Sequence, residues 1–327
     1  MNDLFEKIKS AIDVYTEVQE EDSIILNGQK IPIQKNSLKE IKIKDAESNK
    51  TVAFIDGGQA ELLKAPSFSL QFIRMYTSIW KGKTKTGQKK HEFYLLLAAQ
   101  GGTDITYKAE IFSKENKRML DEDDLVMHSM DATIRNGSER ADISRVGSVA
   151  RRFAELAAAA EAATEADHVV LDGNLEQTFT KEENCLSKLP SNCCALAKTA
   201  NIFTEKGRTA TAVLNNIGQE TAWQYPITMI DRRRISLVKL YPKTDYVFRF
   251  ETFGNEDILP ILASHSNDPV FLGYPYPLIW TDKCARISNQ ETAVLRTQFM
   301  VKLGKNITKV RKYLNAANAH EVLDNIG

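Results

Sequence analysis

An aspartate that ends an apolar run and is followed at once by two glycines restricts this chain's fold more than any other feature. Thr51-Val52-Ala53-Phe54-Ile55 leads straight into Asp56-Gly57-Gly58. A second version comes later, where Val169-Val170-Leu171 runs into Asp172-Gly173. A carboxylate at the C-terminal tip of a strand is held rigidly by the sheet, and glycine, having no Cβ, predicts a sharp turn away from it. Two such carboxylates at neighbouring strand tips make a hard oxygen site for Mg²⁺ or Mn²⁺. A divalent pair held there can drive phosphodiester cleavage. Either copy alone reads as ordinary strand-Asp-Gly turn chemistry. The weight therefore falls on what accompanies them.

The chain has 327 residues, 43% apolar and 26% charged, which predicts a soluble globular protein with a sizeable core in one large domain or two ordinary ones. No run approaches membrane-span length, and Met1-Asn2-Asp3-Leu4-Phe5-Glu6 lacks a signal-peptide pattern. Cys185, the adjacent Cys193 and Cys194, and Cys284 match neither a zinc ribbon nor a disulfide framework, so reduced thiols and a cytoplasmic location are expected. With 43 basic against 43 acidic residues the net charge is zero. Any nucleic-acid contact must come from local patches.

Apolar periodicity predicts an amphipathic helix over 2–19 (Leu4, Ile8, Ile12, Tyr15) and another over 307–324 (Ile307, Val310, Leu314, Ala317). After a polar, Lys-rich stretch over 29–50 and the first Asp strand, three long strands are expected over 69–80, 91–98 and 104–112. The basic stretch 81–90 and Gln100-Gly101-Gly102-Thr103 serve as their turns. An Ala-rich helix over 139–166 buries Val146, Val149, Phe153 and Leu156. Strands are then expected to Asp172, over 193–197, 235–240 and 246–250, helices over 256–264 and 275–288, and a last strand over 293–301. Three antiparallel strands, a helix and a strand ending in Asp follow the order of an α/β RNase H-like core: a mixed central sheet flanked by helices.

With these pieces in order, the sequence resembles the NurA nuclease family. The matching residues are Phe54-Ile55-Asp56-Gly57-Gly58, Glu155 within Arg151-Arg152-Phe153-Ala154-Glu155, Leu171-Asp172-Gly173 and Ala197-Lys198-Thr199. Gly273-Tyr274-Pro275-Tyr276-Pro277-Leu278-Ile279, followed by Asp282, is the most specific of them. The resemblance covers about residues 50–300. It implies a single NurA domain over 1–327 with an RNase H-like core, the terminal helices being accessory or interface elements. It also implies Mn²⁺-dependent DNA cleavage (Mg²⁺ as the substitute, one or two ions), of 5′-to-3′ exonuclease and single-strand endonuclease type. A homodimer and a HerA-type hexameric ATPase partner, acting in DNA end resection, repair or defence, complete the expectation. Asp56, Glu155 and Asp172 are carried over as metal-binding acids and Tyr274 as the active-site tyrosine. Asp282 stands where many members carry histidine; an aspartate can only supply oxygen, so it is expected as a fourth ligand. The long spacing from Asp56 to Glu155 implies an insertion around 81–140.

Each residue also has a plainer reading. Glu155 could be a solvated partner of a nearby Arg. Lys198 could be a strand-end charge rather than a contact to the scissile phosphate. Tyr274 could be a core aromatic at a tight turn. Arg232, Arg233 and Arg234, with Trp80, Lys83 and Lys85 in the basic hairpin, are expected to contact DNA. The five histidines show no ligand spacing and read as structural or surface groups. The rival to a nuclease is a non-catalytic RNase H-like subunit that binds a motor ATPase. A nucleotide-binding enzyme is disfavoured by the lack of a Walker A or dinucleotide fingerprint.

Overall fold

The computed structural model describes residues 2–16, 22–42, 49–113, 119–218, 220–254 and 256–317. Helix α1 (Asn2–Thr16) precedes a small ribbon of β1 (Ser23–Leu26) and β2 (Gln29–Pro32), and β3 (Lys39–Glu40) follows. The strands β4 (Thr51–Ala65), β5 (Phe68–Lys81), β6 (Thr84–Gln100) and β7 (Thr106–Ser113) form an antiparallel meander, with β8 (Met127–His128) on its edge. Next come α2 (Arg145–Ala162), β9 (His168–Asp172), α3 (Glu183–Leu186), β10 (Cys193–Ala197), β11 (Phe203–Thr204) and α4 (Ala210–Ile217). A second meander, β12 (Trp223–Ile230), β13 (Arg233–Lys239) and β14 (Phe248–Thr252), leads to α5 (Leu259–Ser264), α6 (Tyr276–Ala285), α7 (Asn289–Leu303) and α8 (Ile307–Ala317).

Among the described residues eleven strands make one sheet, ordered β3-β12-β13-β14-β10-β9-β4-β5-β6-β7-β8. Strands β4, β9 and β10 run parallel, with Ile55 beside Leu171 and Asp172 beside Leu196. The other pairings are antiparallel. Three antiparallel strands with two more laid parallel to the first is the RNase H-like order expected from the sequence.

The two-residue period of the strands decides which helices cover which face. Ala53, Ile55, Ile73, Met75, Val169 and Leu171 point to one side, where α2 packs Val146, Val149, Phe153 and Leu156 against them. Val52, Phe54, Trp80, Val170 and Leu196 point to the other, under Leu259, Leu262 and Leu278 of α5 and α6. Each large apolar side chain buried this way contributes roughly 2 kcal/mol. Helices α7 and α8 cover the far end of the first hairpin, with Leu295, Phe299 and Leu314 over Leu62, Leu70 and Phe72.

Several expectations need correction. The strand carrying Asp56 does not turn at Gly57-Gly58 but continues through them to Ala65. The stretch 81–90 is not a long basic turn: the chain reverses at Gly82 and Lys83, and β6 begins at Thr84. The span 81–140, read as an insertion, supplies β6, β7 and β8 to the central sheet. The strand expected over 293–301 is helix α7, whose start Ser288 caps by accepting the Glu291 N–H at 3.1 Å. Strand β12 was not anticipated; Pro226 sits at a bulge that breaks its pattern. Residues 17–19 and 318–324 of the expected terminal helices lie outside the described residues.

Candidate active site

The acids meet because of parity along the strands. Asp56, Asp172 and Lys198 are even-numbered continuations of Phe54, Val170 and Leu196, so they emerge on the α6 face, Asp56 just past the parallel-paired part of β4 and the other two at the C-terminal ends of β9 and β10. Tyr274 enters from the turn before α6, and Asp282 lies on α6 itself. Glu155 comes from α2, on the opposite face. It reaches the cluster because Gly57 has no side chain: a Cβ there would stand 2.8 Å from Glu155 Oε1. Gly58 does the same service on the other face, where a Cβ would stand 2.1 Å from the Ala285 carbonyl oxygen at the end of α6. The glycine pair therefore lets two layers close on the Asp56 strand.

The Tyr274 hydroxyl proton is shared between the Leu196 carbonyl at 2.7 Å and Asp172 Oδ1 at 3.1 Å. Lys198 Nζ donates to Asp172 Oδ2 at 2.6 Å and stands 3.8 Å from Asp282 Oδ2. The Gly57 N–H donates to Asp56 Oδ1 at 2.7 Å. Arg151 bridges Glu155 Oε1 at 2.7 Å and the Gly57 carbonyl at 3.1 Å, and Arg286 pairs with Asp282 at 3.1 Å. Glu155 is only 5% exposed, so it is not the solvated surface acid of the plainer reading.

The charges are tightly interdependent. Burial, then the neighbouring Glu155 and Asp172 charges, push the Asp56 carboxyl up to about 8, against the pull of the Gly57 N–H. Burial likewise raises Glu155, partly offset by Arg151 and Arg152. It raises Asp172 despite the Lys198 charge and the Lys198 and Tyr274 hydrogen bonds. Burial works most strongly to lower Lys198, but the charge and hydrogen bond of Asp172 together with the Asp282 and Asp56 charges outweigh it, and the ammonium is held more firmly protonated. Burial and Asp172 drive the Tyr274 phenol well above its usual range.

Four carboxylates within electrostatic reach of one another, with Asp56 among Glu155, Asp172 and Asp282, are the hard-oxygen donor set that suits Mg²⁺ or Mn²⁺. Among the described residues, however, no three His, Cys, Asp or Glu side chains stand close enough to hold a metal ion as placed. Lys198, Arg151 and Arg286 draw the acids toward themselves. The donor chemistry fits a divalent cation, and the spacing requires side chains to leave their present partners.

Of the residues expected to touch DNA, Trp80, Lys83 and Arg232–Arg234 do not reach the acids, and Lys85 comes as near as Tyr76, the cross-strand neighbour of Asp56. Trp80 is a core residue, 7% exposed, with its indole N–H on Ser78 Oγ and its ring edge-on to His265 and Tyr276. Lys83 lies in the β5–β6 turn, level with Thr51 and roughly 17 Å along β4 from Asp56. Lys85 is held by the Tyr76 hydroxyl at 3.1 Å and lies over the Trp280 ring. Arg233 is a packing residue, buried on Glu251 at 3.0 Å, and Arg232 stacks on Phe253. Arg234 is level with Cys194 and Val170, so the β12–β13 tip projects past the sheet end opposite the acids. Of the basic groups that line the cluster besides Lys198, Arg286 escaped the sequence reading and Arg151 entered it only within the Glu155 motif. Arg151 carried a signal: it precedes Glu155 by one helical turn.

The class this arrangement defines is an RNase H-like α/β fold with an acidic centre at its parallel strand ends. No protein-family sequence model matches the chain, and no curated protein sequence does. Solved structures do match in fold. The NurA nuclease from Sulfolobus solfataricus superposes with a TM-score of 0.51 at 13% identity, over 94% of this chain and 98% of that one. A second NurA crystal structure gives 0.53 at 10% identity over 94% and 98%. A crystal structure of NurA with manganese gives 0.51 at 10% over 83% and 92%. The resemblance read from the sequence thus holds across nearly the whole chain: its fold is that of NurA nuclease structures.

Proposed function

We propose that this chain is a deoxyribonuclease that hydrolyses phosphodiester bonds with one or two divalent cations, Mn²⁺ or Mg²⁺, held by Asp56, Glu155, Asp172 and Asp282. The observation that carries this reading is the convergence of four carboxylates with the Tyr274 hydroxyl and the Lys198 ammonium at the parallel strand ends. The manganese in one NurA structure supports Mn²⁺ as the ion. A divalent cation supplies charge neutralisation and a more acidic water at such a site. The chain's own residues do the rest. Asp56 and Asp172 present oxygens from rigid strands, and Tyr274, anchored on Leu196, holds Asp172 in place through its hydroxyl. Arg286, whose side chain is 71% exposed, offers its remaining N–H groups to the DNA backbone in place of the Arg232–Arg234 run.

The whole chain is read as one nuclease domain that works as a homodimer with a HerA-type hexameric ATPase. Its activity is read as 5′-to-3′ exonuclease and single-strand endonuclease, in end resection, repair or defence. The likeness to NurA supports these finer assignments. The test is digestion of linear and circular single-stranded DNA by purified protein in Mn²⁺ and in EDTA. Cleavage is expected in Mn²⁺ alone. Loss of an outer partner of a metal ligand costs ~10–100-fold, so Asp56→Ala and Asp172→Ala should each lose about 100-fold or more with an unchanged circular dichroism spectrum. Near wild-type activity in either variant would move the site elsewhere. A wild type that binds the ATPase yet never cleaves would favour the non-catalytic subunit.

A further inference from the structure

Among the described residues Lys198 is the cation that stands against two of the acids at once. Its Nζ donates to Asp172 Oδ2 at 2.6 Å, stands 3.8 Å from Asp282 Oδ2 and lies 5.3 Å from the Tyr274 ring centre. It thus touches two of the four carboxylates assigned to the divalent cation and the aromatic face beside them. Its side chain is 44% exposed, so the stem has solvent into which to swing. Arg151 and Arg286 differ: among the described residues each holds one acid, four positions before or after it, and bridges no second one.

We infer that Lys198 is a built-in counter-ion that a divalent cation must displace from Asp172 and Asp282 before those acids can close on it. The inference rests on the divalent-cation reading of the site and adds a regulatory consequence to it. A fixed positive charge beside the acids sets the metal concentration at which the site loads. A unit charge about 5 Å from a divalent one weakens its binding by more than ten-fold, even at the dielectric constant of bulk water. Removing the lysine charge should then tighten metal binding, the reverse of what a residue that helps hold the metal would do.

The test is calorimetric titration of the full-length protein with Mn²⁺ alone, at low salt and near-neutral pH. Thermal unfolding in EDTA and in Mn²⁺ is measured alongside. Lys198→Met is expected to bind Mn²⁺ about ten-fold more tightly than wild type. Its unfolding midpoint should be lower in EDTA, where the acids lose their counter-charge, and Mn²⁺ should raise that midpoint further than it does in wild type. Lys198→Arg, which keeps the charge, is expected to stay within three-fold of wild-type affinity. Should Lys198→Met not fold, Lys198→Gln carries the same expectation. An affinity within three-fold of wild type in the uncharged variant, or a weaker one, overturns the inference. So does equal tightening in Lys198→Arg, which would point to bulk rather than charge. If neither wild type nor any variant binds Mn²⁺, the divalent-cation reading itself falls. If all bind alike, that reading stands and only the role of Lys198 is lost.

Discussion

A single methyl group is enough to probe how the acids are held. At Gly58 a Cβ would meet the backbone carbonyl of Ala285, which cannot move without the end of α6. At Gly57 it would meet the ends of two side chains, Glu155 and Met75, which can rotate aside. Gly58→Ala should therefore destabilise the protein by about 1–3 kcal/mol in urea unfolding. Gly57→Ala should cost less stability while still lowering cleavage, because Glu155 is the group that gives way. Equal stability losses in the two variants would count against this account of the glycine pair. The residues themselves were legible: Asp56, Glu155, Asp172, Lys198, Tyr274 and Asp282 all fall in one cluster. The reason for the glycines was not. Their neighbours lie on α2 and α6, and a local reading of Asp-Gly-Gly returns a turn.

Among the elements, the segment after β9 decides how firmly Asp172 is placed. It is tied down by buried ions. Glu182, fully buried, accepts from Arg152 Nε at 2.7 Å and from the Thr178 and Phe179 N–H groups, while Arg152 also donates to the Asn174 carbonyl. Glu251, equally buried, accepts from the Leu175 N–H and pairs with Arg233 and Arg249. Removing one partner leaves a buried charge alone, so Glu182→Ala should cost about 3–5 kcal/mol. Replacing both partners by apolar residues is far cheaper, so Arg152→Met with Glu182→Leu should recover much of that loss in the same urea assay. A double variant no more stable than Glu182→Ala would speak against the pair being the anchor. The sequence showed β7 and α2 by their two- and 3.6-residue periods, and β9 and β10 as short continuous apolar runs buried on both faces. It misled where composition and period disagreed. The β-branched and aromatic residues of 293–301 read as a strand, although Ser288 and Glu291 form the capping pair that starts α7.

For the molecule as a whole, stability below neutral pH has an identifiable source in His265. Its ring lies edge-on to Phe54 and Trp80 in the core under α5 and α6. Burial, with the nearby Lys83 charge, pushes its pKa down to about 4, against a hydrogen bond to the Gly82 backbone. The unfolded chain takes up this proton first as pH falls below about 6.5, so the contribution of His265 lowers folded-state stability down to about pH 4, against the opposite contribution of Asp56, whose raised carboxyl is protonated first in the folded state. The loss over that window amounts to roughly 3 kcal/mol. His265→Phe should make stability fall less, or rise more, between about pH 6.5 and about pH 4 than in wild type, whatever it costs at neutral pH. An identical slope in the two proteins would remove His265 as the source.

The order in which the chain leaves the ribosome gives the α6 layer a further meaning. Asp56, Glu155 and Asp172 are all translated before Tyr274 and Asp282, and β4 cannot receive the end of α6 until Ala285 has been made. A single domain folds as a unit, and its earlier parts emerge first. The meander and α2 leave the ribosome while the acidic cluster still lacks its tyrosine and its fourth carboxylate. A ribosome stalled before α6, or a protease that clips ahead of it, would yield a fragment with most of the sheet and an unfinished centre. For a protein whose proposed chemistry is the destruction of DNA, completion of the chain would itself act as the safety catch.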